Sequence, residues 1–402
     1  MKLLYDLTAT QPSPESKFHG GGAYGEVLFF KLLEYIKNFS LICYYDSSSY
    51  INPDILENIN KYEIKLYDIR KMSVSQIIAK EKIDRLYSSM LNLNQNIPLG
   101  QIEVFTTVHG LRTIEMPFDS IMLDYASSFI EKTKFKLFMG IAKNYYLKKL
   151  KEINGRLVTN SRINVITISN HSLASIKSFY PETKNKNIPV FSSPTFDQLD
   201  NYKTVKENNK LTRASLEKKN LECKKYFLIT SAARWTKNAL RAVQAFDSLF
   251  SDDYAKDFKV VVTGVTRKEI FTKKLKNPAN FCFLDYVERD FLELLSENAY
   301  AFIYPSLNEG FGYPPVDSMK YGVPVAASGT SSIPEVCADA ALYFDPYSVS
   351  EIKNRILQLL EPSIYEDFVS RAKKRYQQVS HKQKEDLAKL AEYVIDTKTT
   401  LK

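Results

Sequence analysis

Basic and acidic side chains follow two apolar runs in the second half of the sequence. Arg234 and Lys237 come after "YFLITS", and Glu309 comes after "AFIYPS". Arg offers a fork of N–H groups to phosphate oxygens and Lys a point charge, so this pair favours an anionic ligand. Lys237 also stands at a predicted helix start, where the helix dipole disfavours a cation unless an anion lies nearby. Two solvated loop charges are the alternative interpretation.

The acidic side chains of this half stand in a glycine- and proline-rich segment. Glu309, which we expect to end a strand, precedes Gly310 and Gly312, and glycines let backbone approach a ligand closely. Two prolines then predict a helix start, with Asp317 in the first turn. A loop carboxylate and a helix carboxylate at this spacing can face one cleft. For Asp317 alone, the alternative is an acid that stabilises the helix N-terminus.

The glycines of "HGGGAYGEV" raise the question of a dinucleotide site. Gly20, Gly22 and Gly25 fit G-x-G-x-x-G, and Asp46 follows at a suitable distance. In such a site the glycines directly follow the first strand, but here "TATQPSPESKFH" intervenes. We therefore predict a loop whose backbone N–H groups bind a phosphate or sugar, with a helix starting near Tyr24. A flexible strand-to-helix connection is the alternative.

Short apolar runs alternate with amphipathic segments along the whole chain, which predicts an α/β fold with parallel sheets. We expect an N-terminal Rossmann-like domain over residues 1–194, joined by a C-terminal helix at 380–402, and a second Rossmann-like domain over 195–379. The polar segment 194–225 is the predicted crossing between them. Such a pair places its ligand cleft between the domains, at the carboxyl ends of the strands. The runs predicted as strands are "KLLYDL", "SLICYY", "IKLYDI", "VFTTV", "VITIS", "YFLITS", "FKVVVTG", "FCFLDY", "AFIYPS", "VPVAAS" and "ALYFD".

Composition limits the class of protein. Of the 402 residues, 44% are hydrophobic and 25% are charged, as in folded domains. The net charge of +9 favours anionic partners, although no nucleic-acid-binding motif is present, so we expect no nucleic acid. Four scattered cysteines without a C-x-x-C pair are typical of a reduced compartment. The N-terminus lacks the apolar core of a signal peptide, and no run reaches membrane-spanning length, so we expect a cytoplasmic protein.

Residues 304–336 carry a pattern that resembles the signature of the retaining glycosyltransferases of family 4, which have the GT-B fold. The "R-x-x-x-K-N" element of that family is similar to Arg234, Lys237 and Asn238, with one residue fewer between Arg and Lys. The family's first glycine loop corresponds to Gly20–Gly22, and its histidine after a middle strand to His109 in "TTVHGLR". Its second acid is Glu, whereas this chain has Asp317. The matching residues of the signature are Pro305, Ser306, Glu309, Gly310, Phe311, Gly312, Pro315, Asp317, Met319, Gly322, Pro324, Val325, Ser328, Pro334, Glu335 and Val336.

The resemblance implies two Rossmann-like domains facing each other across a cleft, with a C-terminal helix returning to the N-terminal domain. It implies retention of anomeric configuration without a metal or other cofactor, because positive groups would stabilise the leaving phosphates. Glu309, His109, Arg234 and Lys237 are the implied catalytic residues. His109 and Arg112 are the acceptor-side candidates. The implied donor-binding residues are Gly20, Gly21, Gly22, Arg234, Lys237, Asn238, Glu309, Gly310, Phe311, Gly312 and Asp317.

We therefore expect a glycosyltransferase that moves a hexose or deoxyhexose from a UDP-, GDP- or dTDP-linked donor to a glycan or lipid-linked acceptor. Bacterial surface polysaccharide synthesis, of O-antigen or capsule, is the setting that the resemblance suggests. Two alternatives stay open: a nucleotide-sugar-binding subunit without catalysis, and a sugar-nucleotide epimerase of GT-B-like architecture.

Residues 130–156 form a strongly basic stretch with interleaved apolar residues. Its net charge of +6 follows from the sequence, with Lys132, Lys148 and Arg156 among eight basic residues. This pattern suits a helix on an anionic membrane surface, which would make the protein peripheral on the inner face of the cell membrane. A solvated helix face packed on the N-terminal sheet is the alternative.

Overall fold

The computed structural model of the chain describes residues 1–12, 20–199 and 213–396. The chain divides into two compact units. The first unit consists of Met1–Leu111, Lys151–Thr204 and Ser380–Lys402, and the second of Arg112–Leu150 and Val205–Val379. The predicted crossing at 194–225 and the predicted end of the C-terminal helix lie partly outside the described residues.

Each unit contains, within the described residues, one six-stranded parallel sheet. The strands of the first sheet lie in the order β3-β2-β1-β4-β5-β6, and those of the second in the order β12-β11-β10-β7-β8-β9. The strands are β1 (Lys2–Asp6), β2 (Ser40–Tyr45), β3 (Lys65–Asp68), β4 (Arg85–Ser88), β5 (Glu103–Val108), β6 (Ile163–Thr167), β7 (Tyr226–Ile229), β8 (Lys259–Val262), β9 (Phe281–Phe283), β10 (Ala301–Tyr304), β11 (Val325–Ser328) and β12 (Ala341–Phe344).

The helices connect consecutive strands, which is why central strands such as β7 and β10 are apolar throughout: parallel sheets are covered on both faces. The helices of the described residues are α1 (Gly20–Leu33), α2 (Pro53–Lys61), α3 (Val74–Glu81), α4 (Arg112–Glu115), α5 (Met122–Tyr125), α6 (Phe129–Met139), α7 (Lys143–Val158), α8 (Asn170–Phe179), α9 (Arg213–Glu217), α10 (Ala239–Ser251), α11 (Glu269–Thr272), α12 (Arg289–Asn298), α13 (Tyr313–Met319), α14 (Ile333–Cys337), α15 (Val349–Leu360) and α16 (Pro362–Ile395).

The strand β4 is absent from the sequence prediction because its segment begins with polar residues. Arg85 is nevertheless buried, and its guanidinium donates to Glu103 and to the carbonyls of Val394 and Asp396. A buried charge needs such partners, and here the end of α16 supplies two of them. The C-terminal helix, predicted over 380–402, begins earlier, at Pro362, and from Ser380 onward it groups with the first unit.

Residues 112–150 group with the second unit, whereas the sequence assigned them to the N-terminal domain. Ile121 is buried in the apolar core beneath the second sheet. Nearby, Arg241 of α10 donates to both carboxylate oxygens of Asp119, at 3.0 and 3.2 Å. Arg267 donates to the carbonyl of Ala126 at 3.1 Å. This segment is anchored in the second unit by burial and by charge, which the sequence pattern does not disclose.

None of the helices in the described ranges combines the length and apolar character needed to cross a bilayer.

Ile121→Ala should destabilise the second unit, because truncating a buried Ile typically costs about 2–5 kcal/mol. For a unit of this size we expect the thermal midpoint to fall by roughly 5–15 °C in calorimetry. Ile141→Ala is the matched control, since Ile141 is 96% exposed. Equal midpoints for the two variants would contradict the assignment of Ile121 to this core.

Candidate functional site

Both sheets reverse their strand order beside the first strand of the unit. In the second unit this point lies between β7 and β10. Parallel α/β sheets bind ligands outside the carboxyl ends of the strands at such a reversal. The loop after β7 carries Arg234 and Lys237, and the loop after β10 carries Glu309. The fold therefore brings the basic and acidic residues singled out by the sequence to one edge of the sheet.

Lys237 and Glu309 form a buried ion pair at this edge. The Lys237 Nζ lies 2.6 Å from Glu309 Oε1, and their side chains are 6% and 12% exposed. Nζ also donates to the Tyr304 hydroxyl at 3.2 Å. An ammonium has three N–H groups, and the hydrogen bonds to described residues use two of them. The third has no hydrogen-bond acceptor among the described residues.

Hydroxyl groups hold the loop of Glu309 in place. Ser306 donates to Glu309 Oε1, and the backbone N–H of Glu309 donates to Ser331 Oγ at 2.9 Å. Ser332 Oγ bonds the carbonyls of Glu309 and Phe311, both at 2.9 Å. Sequence reasoning missed these serines as positioning residues, although Ser306 stands inside the "PS-x-x-EGFG" pattern. Glu309 itself lies five residues beyond the end of β10, so the expectation that it ends a strand is wrong.

The electrostatics of the pair keep Glu309 ionised. Burial alone raises the pKa of Glu309, but the charge of Lys237 and hydrogen bonds from Lys237 and Ser306 lower it to about 2. Burial lowers the pKa of Lys237, and the nearby charge of Arg234 lowers it further, while Glu309 opposes both effects. A carboxylate with this pKa does not exchange protons near neutrality, so Glu309 acts by its charge and its hydrogen bonds.

Arg234 and Arg112 add positive charge around this pair. Arg234 is exposed, just before the short turn that carries Lys237. Arg112 begins α4, and the charges of both arginines contribute to lowering the pKa of Lys237. Glu115, at the other end of α4, accepts a hydrogen bond from Asn308, the neighbour of Glu309. Arg112, a predicted acceptor-side candidate, thus lies in the second unit near Lys237.

Asn238 is a scaffold residue in this structure. Its side-chain N–H groups donate to the carbonyls of Pro305 and Pro346, at 3.0 and 2.7 Å, and its Oδ1 accepts from Arg241. It caps α10 in a left-handed conformation, with φ of 56°. Because α10 begins at Ala239, Lys237 precedes the helix, as the sequence predicted. The amide of Asn238 ties the loop after β7 to the loop after β10.

The glycine segment turns sharply before α13. Gly312 has φ of 105°, a conformation that side chains rarely adopt, and it directly precedes the helix. Phe311 is buried, whereas Asp317 is exposed. Asp317 is the fifth residue of α13, so the prediction that it lies in the first helical turn is wrong. The helix begins at Tyr313, one residue before the prolines, which places Asp317 beyond the first turn.

In the first unit the glycines lie inside a helix. Because α1 begins at Gly20, the predicted loop with a helix from Tyr24 is wrong. A Cβ on Gly21 would lie 2.6 Å from the sulfur of Met90 and 3.4 Å from His109 Nε2, so glycine permits a close helix approach here. His109 directly follows β5, and its Nε2 bonds the Ser89 carbonyl at 2.9 Å.

The ring of Tyr24 meets the His109 ring edge-on at 4.9 Å between centroids. Since a carbonyl only accepts, His109 Nε2 carries a proton. The helix start and His109 thus meet at the carboxyl edge of the first sheet, near its own reversal of strand order.

Glu309→Gln should leave the Lys237 charge buried without its partner, which costs about 3–5 kcal/mol in comparable ion pairs. The pKa of Glu309 is lower in the folded state than its ordinary 4.5, so its stabilisation is complete above that value and is lost as pH falls towards 2. Calorimetry should therefore give a wide gap in thermal midpoint between wild type and variant at neutral pH, narrowing below about pH 4.

The exposed Glu366→Gln is the control for that experiment and should leave the midpoint unchanged at every pH. A gap for Glu309→Gln that stays constant with pH would contradict the ion pair.

Part of the chain is similar to known proteins. Residues 212–375 match the family described as glycosyl transferases group 1. Over 88 residues the chain is 41% identical to O-antigen chain mannosyltransferase B of Escherichia coli, covering 22% of this chain and 23% of that protein. Over 272 residues it is 26% identical to the O-antigen chain mannosyltransferase RfbU of Salmonella typhimurium, covering 65% of this chain and 66% of that one. The chain therefore matches less than two thirds of the length of either relative.

Solved structures match over nearly the whole chain. A glycosyltransferase from Rickettsia africae aligns with a TM-score of 0.64 at 14% identity, covering 98% of this chain and 99% of that one. The Anabaena protein HepE, solved in complex with UDP and glucose, aligns with a TM-score of 0.61 at 13% identity, covering 98% of each chain. At these identities the likeness concerns the fold alone. The segment 212–375 thus resembles the glycosyl transferases group 1 family, and the two parallel sheets have the GT-B fold.

Proposed function

We propose that this protein is a retaining, metal-independent glycosyltransferase that moves a hexose or deoxyhexose from a nucleotide-sugar donor to a growing bacterial surface glycan. The buried Lys237–Glu309 pair at the strand reversal of the second sheet is the observation that carries this proposal. The mannosyltransferase names of the two relatives make mannose the first sugar to test, and O-antigen the first acceptor class.

The diphosphate of the donor is the group that this charge arrangement fits. The available N–H of Lys237 and the exposed guanidinium of Arg234 offer donors to phosphate oxygens, and Arg112 adds charge nearby. Such donors stabilise the negative charge that develops on the leaving group without a metal ion. Within this proposal Arg112 acts on the donor phosphates instead of the acceptor.

Glu309 positions the cation and the sugar and does not act as a base. Its pKa of about 2 makes it a poor acceptor for the proton of an acceptor hydroxyl. The bond between the anomeric carbon and the phosphate oxygen breaks, the acceptor oxygen bonds that carbon on the same face, and its proton passes to the leaving diphosphate. Lys237 and Arg234 favour this step because they stabilise the departing charge.

The remaining residues take supporting roles. Gly310, Phe311 and Gly312 present backbone next to Glu309, and Gly312 permits the turn that brings α13 close. We assign Asp317 to the ribose hydroxyls, since it is exposed on that helix. In the first unit, Gly20, Gly21, Gly22 and His109 remain candidates for contacts with sugar, phosphate or acceptor.

An anionic membrane surface is the proposed working place. Half of the large apolar side chains that are exposed in the described residues lie between 129 and 153. Phe129, Ile130 and Ile141 are 84%, 80% and 96% exposed, and α6 buries none of its residues. Exposed apolar groups beside basic ones suit the headgroup region of a bilayer.

A panel of donors tests the activity. GDP-mannose, UDP-glucose and a dTDP-linked deoxyhexose would be incubated with O-antigen intermediates, and the anomeric configuration of the product read by NMR. We expect transfer with retention, unaffected by EDTA. Arg234→Ala should raise the donor KM by about tenfold or more, because one charge-assisted phosphate contact is lost.

Glu309→Ala should abolish transfer, whereas Glu366→Ala should not. Donor binding without turnover would instead identify a binding subunit, and interconversion without acceptor an epimerase. EDTA-sensitive transfer would contradict the metal-independent step.

Vesicle sedimentation tests the membrane proposal. Phe129→Ala combined with Ile130→Ala should weaken binding to vesicles of phosphatidylcholine with phosphatidylglycerol by roughly tenfold, because two exposed apolar anchors are lost. Tyr254→Ala with Tyr286→Ala, also exposed but outside 129–153, is the matched control and should bind as wild type. Binding that ignores lipid charge would contradict an anionic surface.

A further inference from the structure

A groove of about 520 Å³ opens in the second unit between the segment 123–132 and the segment 267–275. Its floor is apolar, with Leu240, Ile270 and Leu275. Its mouth carries Lys132 on one wall and Lys273 and Lys274 on the other, and all three lysines are exposed. Positive charge from two separate segments therefore converges above an apolar floor.

The other charged groups of the groove are mostly engaged in the protein. Asp247 accepts from the backbone N–H groups of Lys276 and Asn277. Arg267 donates to backbone carbonyls of the segment 123–132. Asp124 and Glu269, both exposed, oppose the three lysines only in part.

The groove is continuous with the exposed apolar residues of α6. Phe129 lines the groove and is 84% exposed, and Ile130 follows it at 80%. The adjoining segment 268–276 adds Lys268 and Lys276 to Lys273 and Lys274. A ligand with a phosphate group for the lysines and an acyl chain for Phe129 and Ile130 matches both features.

We propose that this groove binds the headgroup phosphate of an anionic phospholipid, with the acyl chains leaving across Phe129 and Ile130. The site orients the second unit on the membrane in addition to the general attraction of the basic helices. This inference rests on the proposed membrane contact and deepens it, because it names the lipid group and the residues that receive it. It does not depend on glycosyl transfer.

Charge reversal at the mouth tests the site. Lys273→Glu with Lys274→Glu should weaken binding to phosphatidylcholine–phosphatidylglycerol vesicles by at least tenfold in sedimentation. Lys218→Glu with Lys219→Glu is the matched control: an adjacent exposed lysine pair of the same unit outside the groove, with the same change in charge. It should bind within about twofold of wild type. Equal losses in the two variants would overturn the proposal in favour of net charge alone.

Filling the groove distinguishes binding inside it from binding by the exposed residues around it. Gln244 is an exposed residue of α10 that lines the groove, and Gln244→Trp removes space without changing charge. Binding to the same vesicles should fall about fivefold or more, with circular dichroism unchanged. Wild-type binding by this variant would overturn the headgroup site.

Donor turnover is measured for each of these variants with a water-soluble acceptor. Loss of vesicle binding with intact turnover supports the lipid site. Absence of turnover in the wild type would defeat the proposed activity while leaving the vesicle result interpretable.

Discussion

The buried ion pair between Lys237 and Glu309 is the interaction on which the second unit's functional edge depends. Removing two charges from water is costly, and mutual attraction offsets that cost only when hydrogen bonds satisfy the remaining groups. Here Tyr304 and Ser306 supply such bonds. Apolar residues of similar size often stabilise a protein equally well at such positions. The pair therefore makes physical sense as an arrangement of charge for a ligand.

Hydrogen bonds from neighbouring residues hold the loops that carry these two charges. Asn238 joins the loops that follow β7 and β10, and the serines before α14 bind the backbone on both sides of Glu309. These bonds form without a ligand, so under the proposed mechanism little reorganisation is needed when charge develops on a leaving group. The glycine at 312 completes the arrangement by allowing a turn that other residues resist.

The sequence predicts the two parallel α/β units well because buried strands are apolar without interruption. It misses β4, because this central strand begins with the charged residue Arg85. The hydrogen-bond partners that allow Arg85 to be buried are Glu103 and the distant α16. It also misplaces the start of α1, since the same glycines that suit a loop also suit a helix packed tightly on Met90.

At the candidate site, residue types and spacing singled out Arg234, Lys237 and Glu309. The structure brings their loops to one edge of the second sheet, because the ends of parallel strands meet there. The sequence could not predict that the segment around Arg112 belongs to the second unit. Its place is determined by Asp119 and Ile121, whose partners lie more than a hundred positions away.

The path of residues 112–150 has a consequence for protein engineering. A fragment cut at 205–379 would lack residues 112–150, which supply Asp119 to Arg241 and Ile121 to the core. It would therefore expose apolar surface and leave Arg241 without its ion-pair partner. Grafting only residues 205–379 from one related protein into another carries the same defect. A working chimera has to transplant both stretches together, with crossovers beside residues 111, 150, 204 and 379.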